Sequence, residues 1–269
     1  MKKLGLIVLA VGIILMAGCA GDDPAGPSGS LDPVTGLTIE ATSAGTSVDL
    51  SWNAVSDVDG YYVYFRTTST ADWTQAADVT GTTYTHDATS AGYYTVKAYK
   101  GDDTSSDNSN IVDTMPTDVT TTYTIYDNYS PATEPSGFIF GATSGETGQA
   151  SSTSFDQDIY AYDEDKGKGD ETVRLYSGDY GSFGNGSATW MADPSSTSST
   201  YCNAYPNGSW YYNYGLLTSD ERVYCYLSNG NYAKMYDLSI AADPNSANGT
   251  MVSFSYEIQT GGLTLFTSN

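Results

Sequence analysis

Short runs in which apolar and polar residues alternate, with no stretch of helical period between them, constrain this chain more than any other feature. Leu37 and Ile39 open the pattern; Val48, Leu50 and Trp52 follow in TSVDLSWN, and Tyr61, Val63 and Phe65 in GYYVYFR. Tyr84 in TTYTH and Tyr94, Val96 and Ala98 in YYTVKAY continue it. Successive side chains of a strand point to opposite faces, so period two marks half-buried strands, whereas a helix face repeats every 3.6 residues. Turn residues bound each run, and a spacing of roughly 10–15 residues suits a small antiparallel sandwich. The 24 Tyr and 28 Gly agree, since aromatic residues favour strands and Gly the turns between them. The expected fold class is all-β.

Strand-like runs return in the second half: GFIFG (137–141), QDIYAY (157–162), TVRLY (172–176), RVYCYL (222–227), YAKMYDL (232–238) and TMVSFSYEI (250–258). Asn229-Gly230-Asn231 marks a hairpin turn. Between the two groups, residues 116–135 contain Pro116, Pro131, Pro135 and a Thr run and read as a linker, with room for one strand at Thr122–Tyr126. The expected organisation is a signal peptide (1–18), a flexible tether (19–32), a first β-domain (33–115), the linker (116–135) and a second antiparallel β-rich domain (136–269).

The N-terminus carries Lys2 and Lys3 ahead of 13 apolar residues, Leu4 to Met16. A membrane span needs about 20, so this run reads as a removable export signal. The order Leu15-Met16-Ala17-Gly18-Cys19, followed by the Pro/Gly/Asp-rich AGDDPAGPSGSLD, resembles the signal peptide and lipobox of bacterial lipoproteins. Met16 departs from the Leu, Val or Ile usual at its place. The resemblance implies that the Cys19 thiol takes a diacylglycerol and its amino group is acylated. Several acyl chains, at ~0.8 kcal/mol per buried CH₂, would hold the protein on a membrane durably. Ala20 follows Cys19 where an inner-membrane retention signal would place Asp, so an outer membrane or cell surface is the expected location. The alternative is an ordinary secretory signal in which Cys19 is incidental.

Pro33 with Gly36-Leu37, the V-x-L-x-W of Val48 to Trp52, Gly60-Tyr61-x-Val63 and Tyr94-x-Val96-x-Ala98 resemble a fibronectin type III domain over residues 33 to 115. The resemblance makes Trp52 the core Trp of the second strand and Tyr94 a corner tyrosine whose hydroxyl bonds nearby backbone. Further on, Tyr224, Asn229-Gly230-x-Tyr232-Ala233-Lys234, Leu238, Val252-x-Phe254-x-Tyr256, Gly262 and Phe266 are similar to the C-terminal strands of the HmuY-like surface lipoproteins. Haem capture by paired histidines is that family's activity. The single histidine, His86, lies in the first domain, so the pair does not carry over. Met191, Met235 and Met251 are the thioethers left for a haem reading, and core packing explains them equally well.

A net charge of −22, with 10 Lys and Arg against 32 Asp and Glu, argues against nucleic acid as partner. One His leaves little for a Ser-His-Asp or Cys-His arrangement, so no enzyme is expected. Cys202 and Cys225 are expected to pair as a disulfide in an exported protein, two buried thiols being the alternative. The acidic run Asp163–Glu171 offers oxygen ligands for Ca²⁺ but lacks EF-hand spacing and reads as a solvated loop. No cofactor is expected; haem and Ca²⁺ are weighed and set aside. Trp190, Trp210, Tyr211, Tyr212 and Tyr214 are the candidate ligand-binding residues. Consecutive aromatics cannot all face one side of a strand, and exposed ones stack on sugar rings. The expected function is a lipid-anchored binding or adhesion module for a glycan or surface protein, its first domain a stalk and its second the recognition domain. The alternatives are a haem-type ligand-capture lipoprotein and a structural surface component.

Overall fold

The computed structural model of the chain describes residues 31–105, 107–163, 173–192, 200–214 and 221–268. The signal peptide, Cys19 and most of the tether lie outside the described residues, as does the acidic run beyond Asp163.

Eight strands build the first domain: β1 (Thr38–Ile39), β2 (Ser47–Ser51), β3 (Gly60–Arg66), β4 (Thr74–Val79), β5 (Thr83–Asp87), β6 (Tyr93–Lys100), β7 (Asp103–Thr104) and β8 (Val112–Asp113). One sheet runs β1-β2-β5; the other runs β4-β3-β6-β7, with β8 also pairing β6. This is a fibronectin type III-like sandwich. Its core is the alternation read from sequence: Leu37, Val48, Leu50, Trp52, Tyr61, Val63, Tyr94, Val96 and Ala98 are all buried. Trp52 packs edge-on to Tyr61 with ring centroids 5.6 Å apart. Tyr94 is the buried core tyrosine expected, but its hydroxyl lies 2.9 Å from Nδ1 of His86 rather than on backbone. The His86 ring is brought there by β5, whose partner across β2 is Val48. The chain's one histidine is therefore engaged within this domain.

Within the stretch expected as linker, where the sequence left room for one strand at Thr122–Tyr126, residues 117–126 form a ten-residue strand, β9 (Thr117–Tyr126). Val119 and Ile125 are buried on one face of it, Thr120, Thr122 and Thr124 alternate onto the other, and it pairs along β19 (Thr250–Gln259). The remaining strands are β10 (Gly137–Ile139), β11 (Glu146–Gly148), β12 (Ile159–Asp163), β13 (Val173–Ser177), β14 (Thr189–Ala192), β15 (Trp210–Tyr211), β16 (Asn213–Tyr214), β17 (Val223–Leu227) and β18 (Tyr232–Ala242). A five-stranded antiparallel sheet, β11-β10-β12-β13-β16, faces a six-stranded one, β15-β14-β17-β18-β19-β9. Phe138, Ile159 and Leu175 from the first meet Met191, Val223, Cys225, Met235, Val252, Phe254 and Ile125 from the second in one core. In β18 the inward residues are Ala233, Met235 and then Leu238, an odd step. A bulge between Tyr236 and Ser239, with Asp237 at φ 51°, absorbs the extra residue and restores the phase.

The two sandwiches are joined by more than the chain crossing between them. After β19, residues 262–268 run back along the first domain. Gly45 N–H donates to the Gly262 carbonyl (2.9 Å), Thr264 N–H to that of Gly45 (2.8 Å) and Ala91 N–H to that of Phe266 (3.1 Å). On its other side the same segment takes hydrogen bonds to the 200–202 stretch, Cys202 N–H to Thr264 (3.2 Å) and Phe266 N–H to Thr200 (2.7 Å). Leu263 and Leu265 complete the first domain's core. This segment is a strap between the domains.

Candidate functional site

The outer face of the six-stranded sheet carries two cross-strand rows, fixed by register. Trp190 lies opposite Tyr226 and Tyr226 opposite Tyr232, so these three rings share a face. The neighbouring row runs from Trp210 through Ala192, Tyr224 and Lys234 to Glu257. The strap covers the part of the second row at Tyr224, Lys234 and Glu257, and the 200–207 loop packs over Tyr226 and Tyr232 of the aromatic row, leaving Trp190, Tyr226 and Trp210 half-buried.

Lys234 and Glu257 form a fully buried ion pair, Nζ to Oε2 3.0 Å, on that covered face. Lys234 Nζ also donates to the Thr267 carbonyl (2.9 Å), and Glu257 accepts from the Thr267 N–H (3.1 Å) and hydroxyl. Both ends of the pair thus hold the strap. Burial pushes the Lys234 ammonium down from its ordinary value while Glu257 opposes that shift. The Lys of the Tyr232-Ala233-Lys234 triplet is structural.

The aromatic strip builds outward from Trp190. Tyr212 lies 3.6 Å from it and Tyr205 5.0 Å, ring centroid to centroid. Tyr205 stacks on Tyr226 (4.7 Å, 10° between planes) and meets Trp210 at 6.1 Å. Tyr180 stacks on Tyr212 at 6.0 Å and 8°. Trp190, Tyr205, Trp210, Tyr212 and Tyr226 are each half-buried, and Tyr180 is 44% exposed. The Trp210 indole N–H donates to the Asn207 carbonyl (2.9 Å), which fixes the ring's orientation. The strip is a set of interlocked rings that stays partly accessible to solvent, and Tyr and Trp in such half-buried positions suit interaction sites.

Of the five residues expected to bind ligand, the structure brings Trp190, Trp210 and Tyr212 together. Tyr211 stands opposite Met191, a core residue, so it points to the other side of the sheet and emerges 45% exposed. Tyr214 ends β16, which pairs with β13 of the other sheet. Tyr180 and Tyr226 belong to the strip and were not among the candidates. Tyr226 could have been found from the alternation of VYCYL, which sets both its tyrosines on the face opposite Cys225.

The same alternation overturns the expected disulfide. Cys225 faces the sandwich core, while Cys202 packs with Tyr224, Tyr232 and Phe266 on the far face of that sheet. Both are free, buried thiols. Burial pushes Cys202 up to about 12 and Cys225 well above its ordinary range. Of the thioethers weighed for haem, Met191 and Met235 are fully buried in the core and Met251 is half-buried. Among the described residues no group of three or more His, Cys, Asp or Glu side chains is placed to hold a metal ion.

No protein-family model matches the chain, and no curated protein matches it. Solved structures similar to parts of it include a Fn3-like protein from Clostridium thermocellum, 30% identical over 30% of this chain and 86% of that one, with a TM-score of 0.28. The fibronectin type III domain of human fibronectin type III domain containing protein 3 is 20% identical over 34% of this chain and 89% of that one (TM-score 0.28). Titin kinase with its flanking domains is 13% identical over 84% of this chain and 37% of that one (TM-score 0.30). The class defined by strand order and core is an all-β protein of two sandwiches, the first fibronectin type III-like.

Proposed function

We propose that this chain is an exported surface protein, lipid-anchored at Cys19, that binds glycan through the aromatic strip of its second domain. The observation that carries the reading is the convergence of Trp190, Tyr205, Trp210, Tyr212 and Tyr226 on one half-open face. Sugar rings present apolar C–H faces that stack on aromatic planes, while their hydroxyls stay hydrated. The lipobox-like segment supports the anchor, and the layout from Tyr224 to Phe266, similar to HmuY-like lipoproteins, supports a surface setting. In this reading the protein acts by binding. The first domain serves as the stalk, strapped to the binding domain.

Intact-mass measurement of the membrane-extracted chain tests the anchor. Acyl mass on the wild type that disappears in Cys19→Ala is the expected result; an unmodified wild type overturns the anchor and leaves the strip untouched. A glycan array tests the strip. Binding that Trp210→Ala weakens about tenfold supports it, and binding equal in both chains sinks it.

A further inference from the structure

We propose that the cleft at the seam of the two domains is a second binding site, for a neutral oligosaccharide. It encloses about 620 Å³, within the range of ~300–1,000 Å³ typical of small-molecule sites. Four segments line it: the turn after β3, the turn between β5 and β6 with the start of β6, Met115 in the crossing between the domains, and the strap with Thr200 beside it. None of the described lining residues is charged, in a chain that carries 32 acids. The described lining offers hydroxyls and apolar carbon, and the neighbouring Arg66 guanidinium is engaged over Trp73 and Tyr93, so the lining suits a neutral ligand.

The cleft is amphipathic in the manner a sugar requires. Met115 and Tyr93, half-buried, give the floor its accessible apolar surface over the fully buried Ala91 and Phe266, while the exposed Thr67, Thr68, Ser69 and Thr89 ring its rim with hydroxyls. An apolar floor suits the C–H face of a pyranose, and a rim of groups that both donate and accept suits its hydroxyls. Several of these groups are already held. The Thr68 hydroxyl accepts from Ala71 N–H (3.1 Å), which leaves its own O–H to donate. Thr200 donates to the Thr89 carbonyl (2.6 Å) and so ties the two walls. The Arg66 guanidinium sits over the rings of Trp73 (4.2 Å) and Tyr93 (5.5 Å), fixing the Tyr93 side of the floor. Because both domains and the strap contribute, the site exists only in the assembled chain.

The test uses the full chain and three neutral probes: cellotriose, xylotriose and tri-N-acetylchitotriose, with a heparin hexasaccharide as the charged control. Amide shifts at residues 67–69 and 89–93 are read by NMR at about 10 mM sugar, above the millimolar range of a weak site. The expected result is saturable shifts with at least one neutral probe and none with heparin. Ser90→Trp, which fills the cleft, weakens them about tenfold or more, and Trp210→Ala leaves them unchanged. Thr68→Trp, on the exposed turn, repeats the block if Ser90→Trp does not fold. Absence of shifts with all three probes overturns the proposal, as does binding that survives both cleft variants. Shifts lost in Trp210→Ala alone assign the sugar to the aromatic strip and also overturn it.

Discussion

Cys225 shows how one residue's facing decides chemistry. In β17 the inward positions are Val223, Cys225 and Leu227, and the outward ones are Tyr224 and Tyr226. A disulfide to Cys202 would have to pass through the sheet, so an oxidising setting does not pair these thiols. Burial keeps both protonated and unreactive. The native chain is expected to resist iodoacetamide at pH 8, and the denatured chain to alkylate at both residues without prior reduction. A mass lower by two hydrogens, with no alkylation, contradicts this. Asp158 gives a pH signature at the same scale. It is buried, with its Oδ2 accepting only the Phe140 N–H (2.8 Å) among the hydrogen bonds seen here, and burial raises its carboxyl from 3.8 to about 6. The folded state therefore holds its proton to higher pH than the unfolded state. The stability this group contributes is present below about pH 4 and is lost as the pH rises through about 6, at most ~3 kcal/mol. His86 acts in the opposite sense, since burial lowers it and its contribution fades as pH falls below 6.5. Asp158→Asn keeps an acceptor for Phe140, so urea melts are expected to show stability raised by about 1–3 kcal/mol at pH 8 and a flatter slope between pH 4 and 6. An unchanged slope would contradict the assignment.

At the scale of elements, the alternating runs were legible because each buries one face, and β3, β6, β17 and β19 lie within a residue or two of the runs read from sequence. β9 was half legible: its second half is the strand for which Thr122–Tyr126 left room, and its first half was hidden for a physical reason. Val119 is the one apolar residue among Thr117–Thr121, and Pro116 precedes it. Its strand character comes from β19 beside it, a long-range partner. The strap was illegible too, because Leu263 and Leu265 gain their core only from a domain far away in sequence. The Lys234–Glu257 pair explains what the strap hangs on, and the charges can be weighed. Removing one partner of a buried pair leaves the other uncompensated, a cost of about 3–5 kcal/mol, whereas replacing both with apolar groups is often neutral. Lys234→Met is expected to cost that much in denaturant melts, and the double change Lys234→Met with Glu257→Leu to recover most of it. Equal losses in the single and double variants would show that hydrogen bonds to Thr267, and not charge balance, hold the strap.

Over the whole molecule, two sandwiches share one seam, and the strap makes the first domain more than a spacer threaded on a chain. The strip and the seam cleft meet at Phe266, which packs in one cluster with Tyr205, Trp210 and Tyr226, but their other residues differ, so their ligands can be separated by variants that touch only one. The strip was partly legible: Trp190 and the cluster at 210–214 announce aromatic surface, but register is needed to show that Trp190 lies opposite Tyr226 while Tyr211 turns away. Tryptophan emission of the full chain, titrated with the oligosaccharide an array selects, tests the central claim most directly. Trp190 and Trp210 are two of four tryptophans, and the other two, Trp52 and Trp73, lie in the first domain. The account predicts a saturable emission change that disappears, together with binding, in the Trp190→Ala and Trp210→Ala double variant while the far-UV spectrum is retained. Undiminished glycan binding by that folded double variant would contradict it.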